Sequence, residues 1–206
     1  MPDHAPVSGW TQRPSGLVLA SASPRRAALL EGLGLKFSVV PSGFEERHAG
    51  RPGDPAKLVE SLALGKAADV AAGLNSGLVL GADTVVILRG EVLEKPSGEA
   101  EARAMLRRLS GRWHEVYTGL ALVEAGGGAR RVGHERTRVR FRALEPEEIE
   151  AYVRTGEPLD KAGAYGIQGC GAVLVREIRG CYTNVVGLPL ALLAQMLGEF
   201  GVAVLG

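Results

Sequence analysis

The chain has 206 residues, of which 46% are hydrophobic and 23% are charged, close to the averages for globular domains. This composition excludes a disordered or fibrous protein, and the length is sufficient for one domain with a sizeable core. The formal net charge of +1 excludes a surface that is basic throughout, so any anion site requires a local cluster of cations.

The N-terminal residues 1–15 have no apolar segment like that of a secretory signal, so we expect a flexible polar extension. Residues 16–206 are then expected to form a single domain. No apolar run approaches the roughly 20 residues needed to cross a bilayer, and we expect no membrane association. Cys170 and Cys181 lack the spacing of a zinc site, and they favour a reducing compartment and a cytoplasmic protein, with a disulfide as the alternative.

The first motif is LVLASASPRR, residues 17–26. Its apolar run predicts a buried strand, followed by Ser23 as the cap of a helix that begins at the next proline. A strand that leads into a helix N-terminus directs backbone N–H groups at one point, which is a natural phosphate site. Ser21 and Ser23 add hydroxyl donors, and Arg25 and Arg26 add guanidinium groups suited to phosphate oxygens. The alternative is a capped, solvated basic turn.

The next loop and helix contribute further charged candidates. In the loop, Glu45 and Glu46 either bind a divalent ion or face water. A helix is predicted from Asp54 to about Gly73, with Lys66 on its apolar face. Lys66 either contacts phosphate or packs its stem at the edge of the core while its charge reaches water.

The apolar run GLVLGADTVVIL, residues 77–88, predicts a long buried strand interrupted from Gly81 to Asp83. An aspartate in a buried run is costly unless it is paired or binds a metal, which makes Asp83 a candidate functional carboxylate. We expect Gly81 and Ala82 to leave room for a ligand beside it. A turn aspartate bonded to its own backbone is the alternative. Thr84 points to the opposite face of a regular strand.

The second half of the chain contains antiparallel strands. A helix is predicted over residues 98–109, and residues 113–142 predict strands with a hairpin tip at Gly126–Gly128. Strand–helix units combined with this antiparallel stretch predict an α/β fold with a mixed sheet. Arginines alternate along the last strand. With a net charge near zero and no interleaved aromatic residues, they indicate a solvated face or an interface rather than nucleic-acid binding.

The glycine-rich segment DKAGAYGIQG carries Asp160, Lys161, Tyr165 and Gln168. Its glycines allow the backbone to approach a ligand closely. The carboxamide of Gln168 donates and accepts hydrogen bonds, which matches the edge of a nucleobase. A plain loop is the alternative. Lys161 and Lys95, in EKP, both lie beside loop-forming residues and are either phosphate ligands or solvated.

These segments, in this order, resemble the Maf family of nucleoside triphosphate pyrophosphatases over roughly residues 16–200. The matching stretches include LASASPRRAALLEGLG, FEE, LALGKA, LGADTVVILRGEVLEKP, HEVYTGLAL, DKAGAYGIQGCGAVLV and GCYTNVVGLPL. The resemblance implies a Maf/ITPase-like fold, with a mixed twisted sheet flanked by helices and two lobes around a central cleft. It also implies hydrolysis between the α and β phosphates with a divalent cation, commonly Mg²⁺ or Mn²⁺.

The segment DKAGAYGIQG resembles that of the branch that prefers dTTP and UTP, with modified pyrimidine nucleotides as further candidate substrates. The resemblance implies a proton-accepting role for Asp83, and base specificity from Arg25, Thr84 and Gln168. We expect Glu46 and Asp83 to hold the metal or the attacking water. The triphosphate would be bound by Arg26, Lys66, Lys95, Lys161 and the donors around Ser21 and Ser23.

Other outcomes stay open at this point. The family is linked by name to inhibition of septum formation, so a non-catalytic nucleotide-binding regulator of septum formation is the alternative function. A nucleotidyltransferase is a third, although retention of Asp83 together with the lysines favours hydrolysis. The family often forms homodimers, and the arginine strand is a candidate interface. We assign no role to Asn184.

Overall fold

A computed structural model describes residues 16–45 and 53–205. The strands in these ranges are β1 (Leu17–Leu19), β2 (Phe37–Val39), β3 (Leu78–Leu88), β4 (Glu91–Leu93), β5 (Trp113–Glu124), β6 (Arg130–Phe141) and β7 (Val175–Arg179). The α-helices are α1 (Pro24–Gly32), α2 (Pro55–Ala72), α3 (Glu99–Leu109), α4 (Pro146–Arg154), α5 (Tyr182–Val186) and α6 (Leu190–Glu199). Short 3₁₀ turns cover Glu157–Asp160, Ala162–Ala164 and Gly169–Leu174.

The strands form one mixed sheet in the order β2-β1-β3-β5-β6-β7, and β4 pairs with β3 as a hairpin. β1 runs parallel to β2 and β3, whereas β3, β5, β6 and β7 are antiparallel to their neighbours in turn. The prediction of an α/β fold with a mixed sheet is therefore confirmed. Within the described ranges, no helix is both long and apolar enough to cross a membrane.

Alternate residues of β3 face two different layers. Val79 packs with α2 on one face, whereas Leu78 and Leu80 pack with α6 on the other. Because side chains alternate along a strand, Asp83 lies on the α2 face and Thr84 on the opposite face. The centre of β3 therefore presents functional groups to both layers.

The glycine in the middle of β3 serves packing. β3 is continuous from Leu78 to Leu88, so the interruption expected from Gly81 to Asp83 is absent. A Cβ on Gly81 would overlap the carbonyl oxygen of Ala63 and lie 2.8 Å from the backbone nitrogen of Ala67. The expectation that Gly81 leaves room for a ligand was wrong, because helix α2 fills that space.

The first residues of α1 and α2 test the capping residues predicted from the sequence. α2 begins at Pro55, and the Asp54 carboxylate accepts the N–H of Ala56 at 3.0 Å, as expected of a cap. α1 begins at Pro24, but the Ser23 hydroxyl forms no capping hydrogen bond, so that part of the prediction was wrong. The predicted extension over residues 1–15 and the candidate metal ligand Glu46 lie outside the described residues.

Candidate active site

One cavity of about 530 Å³ opens between the end of β1, the middle of β3, the start of α1 and the glycine-rich loop after α4. Asp83 at its floor comes from β3, and Lys66 comes from the facing side of α2. All ten predicted site residues within the described ranges line this cavity: Ser21, Ser23, Arg25, Arg26, Lys66, Asp83, Thr84, Lys95, Lys161 and Gln168. The fold thus brings together groups that are up to about 150 positions apart in sequence, and their individual roles stay predictions.

Asp83 and Lys66 form a nearly buried ion pair. Lys66 Nζ lies 2.6 Å from Asp83 Oδ1, and the exposed fractions of the two side chains are 12% and 7%. The other carboxylate oxygen, Oδ2, is buried and has no hydrogen-bond partner within the described part of the chain. A buried carboxylate oxygen without a donor is costly, which makes it a natural point for a ligand to bind.

Arg26 is fixed against the protein. Its Nε donates to the carbonyl oxygen of Gly187 at 2.9 Å, its Nη1 to Ser21 Oγ at 3.0 Å and its Nη2 to Thr84 Oγ1 at 3.2 Å. At least three of the five guanidinium N–H groups are therefore used for orientation. Ser21 Oγ also accepts the N–H of Ser23 at 3.2 Å, so one hydroxyl contacts both the backbone before α1 and the guanidinium of Arg26.

Arg25 takes a different direction, across the mouth of the cavity. Its Nη1 lies 3.4 Å from Asp160 Oδ2, and Lys161 Nζ lies 2.6 Å from Asp160 Oδ1. Partial burial would raise the pKa of Asp160, but the hydrogen bond and charge of Lys161, together with Arg25, lower it overall. Asp160 therefore stays ionised and connects two predicted substrate cations.

Behind the cavity, a hydrogen-bond network that sequence reasoning missed extends from Thr84. Thr84 Oγ1 lies 2.9 Å from Thr118 Oγ1, which donates to the carbonyl oxygen of Asn184 at 3.0 Å. Asn184 is fully buried, and its Nδ2 donates to the carbonyl oxygen of Val116 and to Thr137 Oγ1. The only sequence signal was an asparagine before an apolar pair, which indicates no particular partner.

The glycine-rich loop is attached to the core through a second buried pair. His114 Nε2 lies 2.8 Å from the hydroxyl of Tyr165, and both rings pack edge-on against Phe141. Burial lowers the pKa of His114 to about 4, although a backbone interaction with Arg112 opposes the shift. The imidazole is therefore neutral at pH 7. Burial likewise raises the pKa of the Tyr165 hydroxyl, which remains protonated.

The arginine strand β6 stacks on aromatic residues of β5. The guanidinium of Arg136 lies 5.9 Å from the ring centre of Tyr117, and those of Arg138 and Arg179 lie 4.9 and 4.8 Å from Trp113. The aromatic partners of these arginines are supplied by the neighbouring strand, which the sequence of β6 alone does not indicate. Solvent or an interface on this face stays a prediction.

Comparison with known proteins gives consistent matches. A family model described as Maf-like protein matches residues 16–200. The chain is 59% identical to a dTTP/UTP pyrophosphatase of Moorella thermoacetica, over 93% of this chain and 98% of that protein. It is 53% identical to a dTTP/UTP pyrophosphatase of Pelotomaculum thermopropionicum, over 92% and 98%. The solved Staphylococcus aureus Ham1 protein gives a TM-score of 0.45 at 16% identity, over 61% of this chain and 71% of that chain.

Proposed function

The chain belongs to the Maf family, and on that premise we propose that it hydrolyses UTP and dTTP to the nucleoside monophosphate and pyrophosphate. Two relatives that are 59% and 53% identical over nearly their full length carry the name dTTP/UTP pyrophosphatase. The observation that carries the proposal is the grouping of five cationic side chains and one buried carboxylate around a single cavity. A triphosphate has roughly four negative charges to neutralise before a nucleophile can approach phosphorus.

The cations surround the cavity from several elements. Arg26 is pre-oriented by its contacts at the β1–α1 junction, and Lys66 projects from α2. Lys95 and Lys161 line the cavity from the segment after β4 and from the glycine-rich loop. We assign the phosphate chain to these four side chains and to the backbone donors after Ser23, because positioned charges supply most of the catalysis in phosphoryl transfer.

Asp83 is proposed as the general base. In the proposed step, a water oxygen forms a bond to the α phosphorus in line with the bond to the bridging oxygen. The bond between the α phosphorus and the bridging oxygen then breaks, and pyrophosphate leaves with the electron pair of that bond. The water proton goes to the Asp83 carboxylate. Lys66 at 2.6 Å holds this carboxylate in place through Oδ1, which leaves Oδ2 for the water.

The donor set also fits a divalent cation. No group of three or more His, Cys, Asp or Glu side chains within the described residues is arranged to hold a metal by itself. Mg²⁺, however, is commonly bound by only one or two carboxylates together with substrate phosphates. Asp83 Oδ2 is buried and has no donor among the described residues, and it has two lone pairs, so one is suited to the cation while the other accepts the water proton. Glu46 is the proposed second ligand. When bound, the cation would neutralise phosphate charge and lower the pKa of a coordinated water.

Base selection is assigned to the mouth of the cavity. The Gln168 carboxamide is exposed there and can pair with the O4 and N3–H edge of uracil or thymine. Cytosine presents the reverse pattern at position 4, but an amide can flip, so a second fixed donor is needed. Arg25, tethered to Asp160, is the candidate donor to a base carbonyl. Thr84 supports Arg26 from the opposite face of β3.

We also propose a cytoplasmic site of action. Cys170 and Cys181 are both free thiols. Reduced cysteines are typical of compartments kept reducing by thiol systems. The proposed substrates, nucleoside triphosphates, would be present in the cytoplasm.

A nucleotide panel with Mg²⁺ tests the proposed function. Purified protein should convert UTP and dTTP to UMP and dTMP with one pyrophosphate per monophosphate, and should act more slowly on CTP, because its base edge is reversed. Anion-exchange chromatography and a coupled pyrophosphate assay measure both products. Tight UTP binding without pyrophosphate would instead identify a nucleotide-binding regulator. UDP and phosphate as products would overturn the assignment of the cleaved bond.

A further inference from the structure

The carboxylate of Glu157 lies inside the loop that carries Gln168. Its Oε2 accepts the backbone N–H of Cys170 at 2.9 Å, and its Oε1 accepts the N–H of Gly171 at 3.0 Å. The hydroxyl of Tyr152, on α4, donates to the same Oε1 at 2.9 Å. Three donors therefore converge on one side chain, and two of them lie two and three residues after Gln168, the residue assigned to the base.

The other side of the loop is attached through Tyr152. Its hydroxyl accepts the N–H of Gly166 at 3.1 Å while it donates to Glu157. Gly166 lies two residues before Gln168, and Cys170 lies two residues after it. The pair of Glu157 and Tyr152 thus holds the backbone on both sides of Gln168, whose side chain remains exposed in the cavity.

Close packing leaves the loop little freedom to compensate for a lost bond. Gly169 has a φ of +67°, and a Cβ there would lie 2.8 Å from Glu157 Oε2. A Cβ on Gly171 would overlap the carbonyl oxygen of Gly166 and lie 2.6 Å from the Tyr152 hydroxyl oxygen. The backbone is therefore wrapped tightly around the two side chains.

Glu157 also contacts a residue on the proposed phosphate side of the cavity, through its backbone. The backbone carbonyl oxygen of Glu157 accepts a hydrogen bond from Lys161 Nζ at 2.6 Å. Its carboxylate fixes the loop of Gln168, while its carbonyl fixes a cation assigned to the triphosphate. A carboxylate is needed at this position because both of its oxygens face N–H donors. A glutamine in either orientation would point its NH₂ at one of them.

We infer that Glu157 is a positioning residue for pyrimidine selection, holding the Gln168 amide at the angle that distinguishes uracil and thymine from cytosine. This inference rests on the proposed function. Glu157 does not need to touch the nucleotide, since it acts through the loop backbone. A small displacement of that loop changes which edge of the base the amide meets, whereas the phosphate groups and Asp83 stay in place.

The test is the ratio of kcat/KM for UTP to that for CTP. Glu157→Gln should lower this ratio about ten-fold, because one charged hydrogen bond to the loop is lost. Tyr152→Phe, which removes only the hydroxyl, should lower it in the same direction. Glu147→Gln, on the exposed side of α4, is the matched control and should leave it unchanged. A purely structural role would lower both kcat/KM values together.

The same ratio is measured for binding of the non-hydrolysable α,β-methylene analogues of UTP and CTP. Folded Glu157→Gln with a wild-type ratio would overturn the inference alone, and if that variant does not fold, Tyr152→Phe decides by the same criterion. An inactive wild-type protein whose preference for the UTP analogue is lost in the variants would overturn the proposed function and support the inference. A wild-type protein without preference in either assay would overturn both.

Discussion

At the residue scale, the adjacent guanidinium groups of Arg25 and Arg26 have separate surroundings. Arg26, at the start of α1, is oriented by the carbonyl oxygen of Gly187 and by the hydroxyl oxygens of Ser21 and Thr84. Arg25 points to Asp160, beside the glycine-rich loop. The pair looks redundant in sequence, but one member lies at the proposed phosphate region and the other at the proposed base region.

Single substitutions should separate these two roles. Arg26→Ala should lower the rate of hydrolysis of every nucleotide by roughly 10²-fold, because it removes a preorganised charge beside the phosphate chain. Arg25→Ala should mainly change the ranking of UTP, dTTP and CTP. Steady-state kinetics on the three nucleotides measure both effects. The assignment would be contradicted if Arg26→Ala lost activity on only one nucleotide. It would also be contradicted if Arg25→Ala hydrolysed all three nucleotides more slowly by the same factor.

His114 predicts a pH dependence of stability. Its pKa is about 4 in the folded protein and near 6.5 when unfolded. The unfolded chain therefore binds more protons between these values, and the free energy of unfolding falls as pH is lowered from about 6.5 to about 4. The loss should be on the order of 3 kcal/mol.

Urea unfolding at several pH values checks this, with His134→Gln as the control on the exposed face of β6. His114→Gln should unfold more easily at pH 7 but show a shallower dependence on pH over this window. If the slope of His114→Gln equals that of the wild type, the buried imidazole is not the group that titrates.

At the scale of elements, α2 approaches the sheet closely at two glycines, one in β3 and one in β5. A Cβ on Gly81 in β3 would overlap Ala63, and a Cβ on Gly119 in β5 would overlap the backbone of Val59. This close approach carries Lys66 to within hydrogen-bond distance of Asp83. The packing of one helix and the geometry of the proposed base are therefore connected.

Gly81→Ala should destabilise the protein by about 3 kcal/mol, because backbone atoms cannot move aside as a flexible side chain can. It should also lower activity, since α2 carries Lys66. Gly32→Ala in α1 is the control, because a Cβ there meets nothing within 4 Å, and it should be neutral or slightly stabilising. Denaturant unfolding compares the two variants. Equal stability of Gly81→Ala and wild type would contradict the proposed contact.

Local chemistry made several elements predictable from the sequence. Asp54 with Pro55 begins α2, and the glycines after Glu124 form the hairpin tip between β5 and β6, as expected. The function of Gly81 was not predictable, because a glycine that admits a ligand and one that admits a helix look the same in sequence. The hydrogen bonds of Glu157 to the glycine-rich loop were not predictable for a similar reason. Its partners are backbone N–H groups 13 and 14 residues away, and every residue except proline has such a group.

At the scale of the whole molecule, the cavity is assembled from α1, α2, β3, the end of α5 and the segments after β1, β2, β4 and α4. Recognition of motifs predicted which residues meet, because the fold family brings those motifs together. It did not predict that Lys66 pairs with Asp83 or that Asp160 connects Arg25 with Lys161. Both sets of ion pairs depend on the distances between side chains, and these distances are set by the packing of the complete fold.

Removal of divalent metal should abolish activity and leave the fold intact. The described residues contain no set of ligands that would hold a structural metal, and the cation is proposed to bind with the substrate phosphates. EDTA should therefore stop pyrophosphate release while the Tm stays unchanged, and added Mg²⁺ should restore the rate. Full activity in EDTA would contradict the proposed requirement, and a large drop in Tm would indicate a structural metal instead.

Pyrophosphate release from UTP by the wild-type protein and by Asp83→Asn tests directly whether the protein hydrolyses UTP with Asp83 as general base. The substitution keeps the size of the side chain and removes its capacity to accept a proton and to hold a cation. We expect equimolar UMP and pyrophosphate from the wild type, and a rate at least about 10²-fold lower from the variant, with circular dichroism showing the same fold. An Asp83→Asn protein that releases pyrophosphate at the wild-type rate would show that Asp83 is not the general base.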